Sequence, residues 1–177
     1  DRLTDLPEIA DALALTRAMV HQGDRLAWLA LLRAPWAGLD WTDLHALVRN
    51  SAANATVLEL MQDSKRLARL SEFGQGAVKR LLARLQPELR ANRISSLRDQ
   101  IERLWLALGG PALLAGADNV ANVYRYFDVL EELEQGGTLA DVARLEAALD
   151  LEHVSTESEA RLQVMTMHRA KGLQFDH

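Results

Sequence analysis

Apolar residues recur along most of this chain at the three-to-four-residue spacing of helices, and turn residues interrupt them at intervals. Ile9, Leu13 and Val20, with Ala10 and Ala14, fall on one face of a first helix. Pro7 sits just inside its start, Asp5 is placed to cap it, and Gly23 lies near its end. Asp24 then caps RLAWLALLRA, which Pro35 ends. A third helix starts at Asp40 and carries Leu44, Leu47 and Val48 inward, with Asp43 placed as the acidic half of a capping box.

Residues 50–56 form a loop of small residues. A short helix over 57–61 follows, then a basic connector with Lys65, Arg66 and Arg69. Ser71 opens a long helical pattern through Val78, Leu81, Leu82, Leu85 and Leu89, in which Pro87 predicts a kink or a break. Ser96 caps a helix that turns Ile101, Leu104, Trp105 and Leu108 inward, and Gly109-Gly110-Pro111 closes it. Asp118 opens a helix over about 119–135, ended by Gly136-Gly137. Thr138 and Asp141 repeat the cap-and-acid pattern before LADVARLEAAL. Residues 150–160 are polar and acidic and read as a linker. RLQVMTM then packs Leu162, Val164, Met165 and Met167 into one short run, the pattern of a strand. The expected fold is therefore all-α over residues 1–155, with a linker and one short strand in 156–177.

Composition sharpens this picture. Hydrophobic residues make up 49% and charged residues 25% of 177, enough apolar material for a sizeable core. Leu and Ala abound while Val and Ile are few, which favours helices over strands. The absence of Cys excludes a disulfide scaffold, a thiolate metal site and a cysteine nucleophile. No apolar run approaches the roughly 18 residues of a membrane span. The acidic start DRLTDLPEIADAL is unlike a signal peptide, so a cytoplasmic location is the default. QFDH follows an apolar segment without a cap, which suggests a piece of something larger.

The net charge of -5 conceals an asymmetry. Residues 65–103 hold ten basic against four acidic side chains, a net of +6, whereas residues 118–159 hold eleven acids against Arg125 and Arg144. The basic segment, with Arg80 and Arg84, reads either as a phosphate-facing surface or as a solvated face balanced by the acidic one. The sequence has no GxxxxGK[ST] loop, GxSxG elbow, HExxH or calcium loop. Its five His (21, 45, 153, 168 and 177) lack metal-ligand spacing, and His45 falls opposite the apolar stripe of its helix. No catalytic constellation and no metal site can be assembled from this chain.

The informative segment is VMTMHRAKGLQF, residues 164–175. It resembles motif V of the UvrD-like superfamily 1 DNA helicases, with Val164, Met165, Thr166, His168, Lys171, Gly172, Leu173 and Phe175 matching by type and spacing. LPEIADALALTRAMV resembles the helix that leads out of that family's second RecA-like domain, called 2A. Residues 26–47 resemble the start of its large helical insertion, called 2B, and GGPALL at 109–114 fits the insertion's later part. The PWAGL form, with Pro35 and Trp36, resembles the nuclease-associated RecB/AddA-like members more than the plain helicases.

The resemblance implies a 2B-like insertion over residues 1–155, its first helix shared with the 2A exit. Residues 156–177 would then return into a RecA-like α/β domain. It implies a parent that hydrolyses ATP with Mg²⁺, translocates on single-stranded DNA and unwinds duplex in repair or recombination. This piece would have no ATPase site of its own. Thr166 and His168 would face DNA, and Lys171, Gly172 and Gln174 would couple DNA to the nucleotide. Gln174 stands where relatives carry Glu, keeping a hydrogen-bonding group without the charge. Where UvrD-type members have a G-I-G turn whose helix amides meet duplex phosphate, this chain has Gly38-Leu39-Asp40. Asp40 would occupy those amides and repel phosphate. Trp36 and Trp41 beside that turn read as base-stacking or as core residues. Expected partners are single-stranded and junction DNA, the remaining motor domains and a nuclease or partner subunit, with no membrane. The alternative is a helical interaction module that regulates a motor or binds a partner subunit.

Overall fold

A computed structural model describes residues 2–90 and 96–152. Among the described residues the elements are α1 (Pro7–Val20), α2 (Arg25–Arg33), α3 (Trp41–Val48), α4 (Val57–Gln62), α5 (Ser64–Leu67), α6 (Glu72–Arg90), α7 (Leu97–Ala107), α8 (Ala117–Leu133) and α9 (Val142–Leu151). Short 3-10 helices occupy Leu3–Asp5 and Gly110–Leu113. The regular elements among the described residues are thus helices, and an antiparallel bridge joins Gln135 and Thr138 around the Gly136-Gly137 turn. The strand expected at 162–167 lies outside them, as do Thr166, His168, Lys171, Gly172 and Gln174.

Most caps fall where local chemistry puts them. The Ala27 amide donates to Asp24 and the Asp99 amide to Ser96, while Thr56 and Glu59 form a reciprocal capping box. Three details differ from the pattern. Leu6 stands at the N-cap of α1, because Asp5 belongs to the preceding 3-10 turn and accepts the Arg2 amide. Asp141, not Thr138, caps α9. Helix α6 runs through Pro87 to Arg90 without breaking there.

Helix α1 lies at the centre, against α2, α7 and α8. It buries Ile9 and Ala14 as expected, together with Ala12, Leu15, Ala18 and Met19, while Ala10 is exposed and Leu13 and Val20 are half-buried. The buried face therefore overlaps the expected one only in part and is broader. A helix contacted from several sides buries most of its circumference, polar Glu8 and Thr16 included, so its sequence carries a weak stripe. Glu8 accepts from the Asn119 amide at 2.8 Å, and the Thr16 hydroxyl lies 2.6 Å from that of Tyr126. These bonds satisfy polar groups whose burial would otherwise be costly. Trp28, Trp105, Tyr126 and Phe127 are the largest buried side chains, and Trp105 meets Phe127 edge-on at 5.6 Å.

The beginning and end of the helical body are tied together. The Leu3 amide donates to the Glu152 carbonyl at 3.0 Å, Thr4 Oγ1 donates to Asp150 at 2.7 Å, and Arg125 clamps the Glu152 carboxylate at 2.7 and 3.0 Å. Chain entry and exit therefore lie side by side on α8 and α9.

Candidate nucleic-acid interface

Helix α6 is positioned from below by a buried carboxylate. Asp40 caps α3, accepting the Asp43 amide at 2.8 Å. The side chain of Asp43 turns away from α3 and accepts the Ser71 amide at 2.7 Å and the Ser71 hydroxyl at 2.6 Å. Ser71 Oγ in turn accepts the Gly74 amide at 3.0 Å, which starts α6. Asp43 is thus not half of a box within α3; it joins the starts of two helices. Gly74 fits because a Cβ there would overlap the Asp43 carboxylate.

On that base, α6 buries Ala77, Val78, Leu81, Leu82 and Leu85 and leaves Lys79, Arg80 and Arg84 exposed. Arg80 and Arg84 are four residues apart, so they stand one above the other on one face. Both line a cleft of about 300 Å³ together with Trp36, Leu81, Ala107, Leu108 and Gly109. A second hollow of about 280 Å³ shares Arg84 and reaches Pro87, Glu88 and Arg103. Trp36 is fixed as a wall of the first cleft, its indole N–H donating to the Leu31 carbonyl at 2.9 Å. Gly109 closes the other side in the left-handed conformation, φ +80°.

The structure sorts the basic segment by task. Arg66 donates to the carbonyls of Leu47, Arg49 and Asn50 and so caps α3. Arg98 pairs with Asp99 and Glu102, and Arg103 with both oxygens of Glu88. Arg80 and Arg84 form no salt bridge with any described residue. Two guanidiniums that line one cleft and pair with no carboxylate among the described residues suit phosphate oxygens, which can accept both prongs of a guanidinium fork. The Gly38-Leu39-Asp40 turn carries its own anion, since the Asp40 carboxylate already accepts the Asp43 amide in the first turn of α3, where a phosphate would bind.

The two tryptophans separate. Trp36 is half-buried and anchored, whereas Trp41 is 72% exposed, with the Arg33 guanidinium 4.1 Å from its ring centre. Sequence reasoning named Arg80 and Arg84 but missed Trp36 and Gly109 as their cleft neighbours. It also missed a groove between α2 and α3. The pairing of cation-bearing turns with a tryptophan 44 residues upstream leaves no local signal. Among the described residues no group of three His, Asp or Glu side chains could hold a metal ion. No helix among them is long and apolar enough to cross a membrane.

Comparison with known proteins gives a consistent result. The family described as UvrD-like helicase C-terminal domain matches residues 2–177. The ATP-dependent DNA helicase Rep of Escherichia coli is 27% identical over 187 residues, covering 97% of this chain and 28% of that protein. The protein of the same name from Salmonella typhimurium is 26% identical over 194 residues, again covering 97% of this chain and 28% of its own length. The chain therefore spans under a third of the curated relatives it matches. No solved structure matches it significantly.

Proposed function

The chain belongs to the UvrD-like helicase C-terminal domain family, and from that membership we propose that it is the 2B-like insertion of an ATP-dependent DNA helicase. Residues 1–155 form the insertion and 156–177 return into the 2A motor domain with motif V. The adjacency of Leu3 and Glu152 supports this, because an inserted body must leave and rejoin its host at neighbouring points. The parent hydrolyses ATP with Mg²⁺, moves on single-stranded DNA and unwinds duplex during repair or recombination in the cytoplasm. The described residues offer neither a phosphate loop nor a metal-ligand cluster. In this reading ATP and Mg²⁺ are cofactors of the parent, and the fragment alone holds neither. Thr166 and His168 face DNA, and Lys171, Gly172 and Gln174 couple it to the nucleotide.

Within the described residues, Arg80 and Arg84 carry the DNA contact. The observation that carries this reading is their convergence on one cleft without a carboxylate partner. Fluorescence anisotropy with a junction DNA bearing a single-stranded tail tests it. Binding should weaken steeply with salt and disappear on charge reversal, Arg80→Glu with Arg84→Glu. Undiminished binding by that variant would remove the proposal. The purified chain should show no DNA-stimulated ATPase activity, and a substantial rate would overturn its assignment as a motor-less insertion.

A second reading, a helical module that binds a partner subunit or regulates the motor, is favoured by one observation. The most exposed large apolar side chains before α6 lie along the groove between α2 and α3.

A further inference from the structure

Helices α2 and α3 both present apolar side chains to one open groove, where solvent would favour polar residues. Leu26, Leu29 and Arg33 recur along α2 at three-to-four-residue spacing, and Trp41, His45 and Val48 do the same along α3. The two stripes line an open groove of about 430 Å³. Leu26 is 75% and Trp41 72% exposed, a large apolar area for a soluble surface to leave uncovered.

The charge along this groove has one sign. Its ionisable lining side chains are Arg33 and His45, with no carboxylate among the lining residues. Neither forms a salt bridge with a described residue. Arg33 is laid over the Trp41 ring at 4.1 Å, which holds both side chains at the groove's edge. A nucleic acid would meet few cations here and a wall of aliphatic carbon. Two apolar stripes lining one groove instead match the side-chain spacing of an amphipathic helix laid between them. From this geometry we infer that the α2–α3 groove docks an amphipathic helix of a protein partner, with an apolar face and flanking Glu or Asp that reach Arg33 and His45. The inference deepens the interaction reading and is independent of DNA binding at Arg80 and Arg84.

The test uses the full chain and two synthetic 18-residue helical peptides. Both carry Leu at positions i, i+3, i+4 and i+7; one is flanked by Glu and the other by Lys. Anisotropy of a fluorophore on the peptide reads the binding. The Glu-flanked peptide should bind at least tenfold more tightly than the Lys-flanked one. Leu26→Asp and Arg33→Glu should each weaken it at least tenfold, while Leu151→Asp, at an exposed leucine on α9, should leave it unchanged. Circular dichroism confirms that the variants fold, and junction-DNA binding should persist in Leu26→Asp. Absence of binding, equal binding of both peptides, or insensitivity to Leu26→Asp would overturn the inference. So would a chain dimer in sedimentation that Leu26→Asp dissolves, since the groove would then serve a second copy.

Discussion

Replacing Asp43 by Ala removes the link that seats α6 on α3. Two bonds are lost, from the Ser71 amide at 2.7 Å and the Ser71 hydroxyl at 2.6 Å, both to a carboxylate that is only 4% exposed. Hydrogen bonds to a charged acceptor contribute about 1.5–3 kcal/mol each. Ser71 itself lies near the surface, so water can partly replace the lost acceptor and the lower end applies. The expected loss is about 2–3 kcal/mol, or a fall in Tm of roughly 4–12 °C for a domain of this size. Urea unfolding followed by circular dichroism measures it. Asp43→Asn, which keeps one acceptor oxygen, should fall between the two. Because both bonds end on Ser71, the Asp43→Ala and Ser71→Ala effects should be strongly non-additive, coupled by about 1 kcal/mol or more. A loss under about 0.5 kcal/mol, or simple additivity, would refute the claim that this carboxylate joins the helices.

Other predictions follow from single contacts. Asp11 has its pKa pushed up to about 6 by burial and, secondarily, by Glu8. The folded state therefore holds that proton more tightly than the unfolded chain, and this contribution to stability is lost as pH rises from about 4 to 6. Asp11→Asn should stabilise the protein by on the order of 1 kcal/mol at pH 7.5, after discount for solvent screening, and by little at pH 4; urea titrations at the two pH values decide it. Tyr126→Phe removes the hydroxyl beside Thr16 and should cost about 1 kcal/mol in the same assay, with the helix content unchanged. Gly110→Ala would press a Cβ into the Trp105 indole and should cost about 1–3 kcal/mol, read as a lower thermal midpoint.

Much of this fold was legible because helix signals are local. Asp24 and Ser96 cap the helices they precede, and Pro35 and Gly109 mark ends, since each acts on amides or carbonyls within four residues. The rest depended on distant partners. Asp43 looked like a local capping acid, yet its acceptors serve a serine 28 residues away. The apolar face of α1 was only partly placed, because a central helix lacks one polar side to define the other. Pro87 did not end α6, whose packing against α7 carries the helix past the missing amide. For the candidate site, the charge of Arg80 and Arg84 was plain in the sequence. That neither forms a salt bridge with a described residue was not, because Glu88 stands one helical turn after Arg84 and yet pairs with Arg103 on the next helix.

The proposal that α6 meets the DNA backbone is tested most directly by the salt dependence of junction-DNA affinity. The logarithm of the binding constant, plotted against the logarithm of salt concentration, falls with a slope of about 0.9 for each duplex phosphate neutralised. If Arg80 and Arg84 each engage one phosphate, the double variant Arg80→Ala with Arg84→Ala should bind more weakly at low salt, with a slope shallower by about 1.8. An unchanged affinity and an unchanged slope would contradict the assignment and leave the helical body as a protein-docking module.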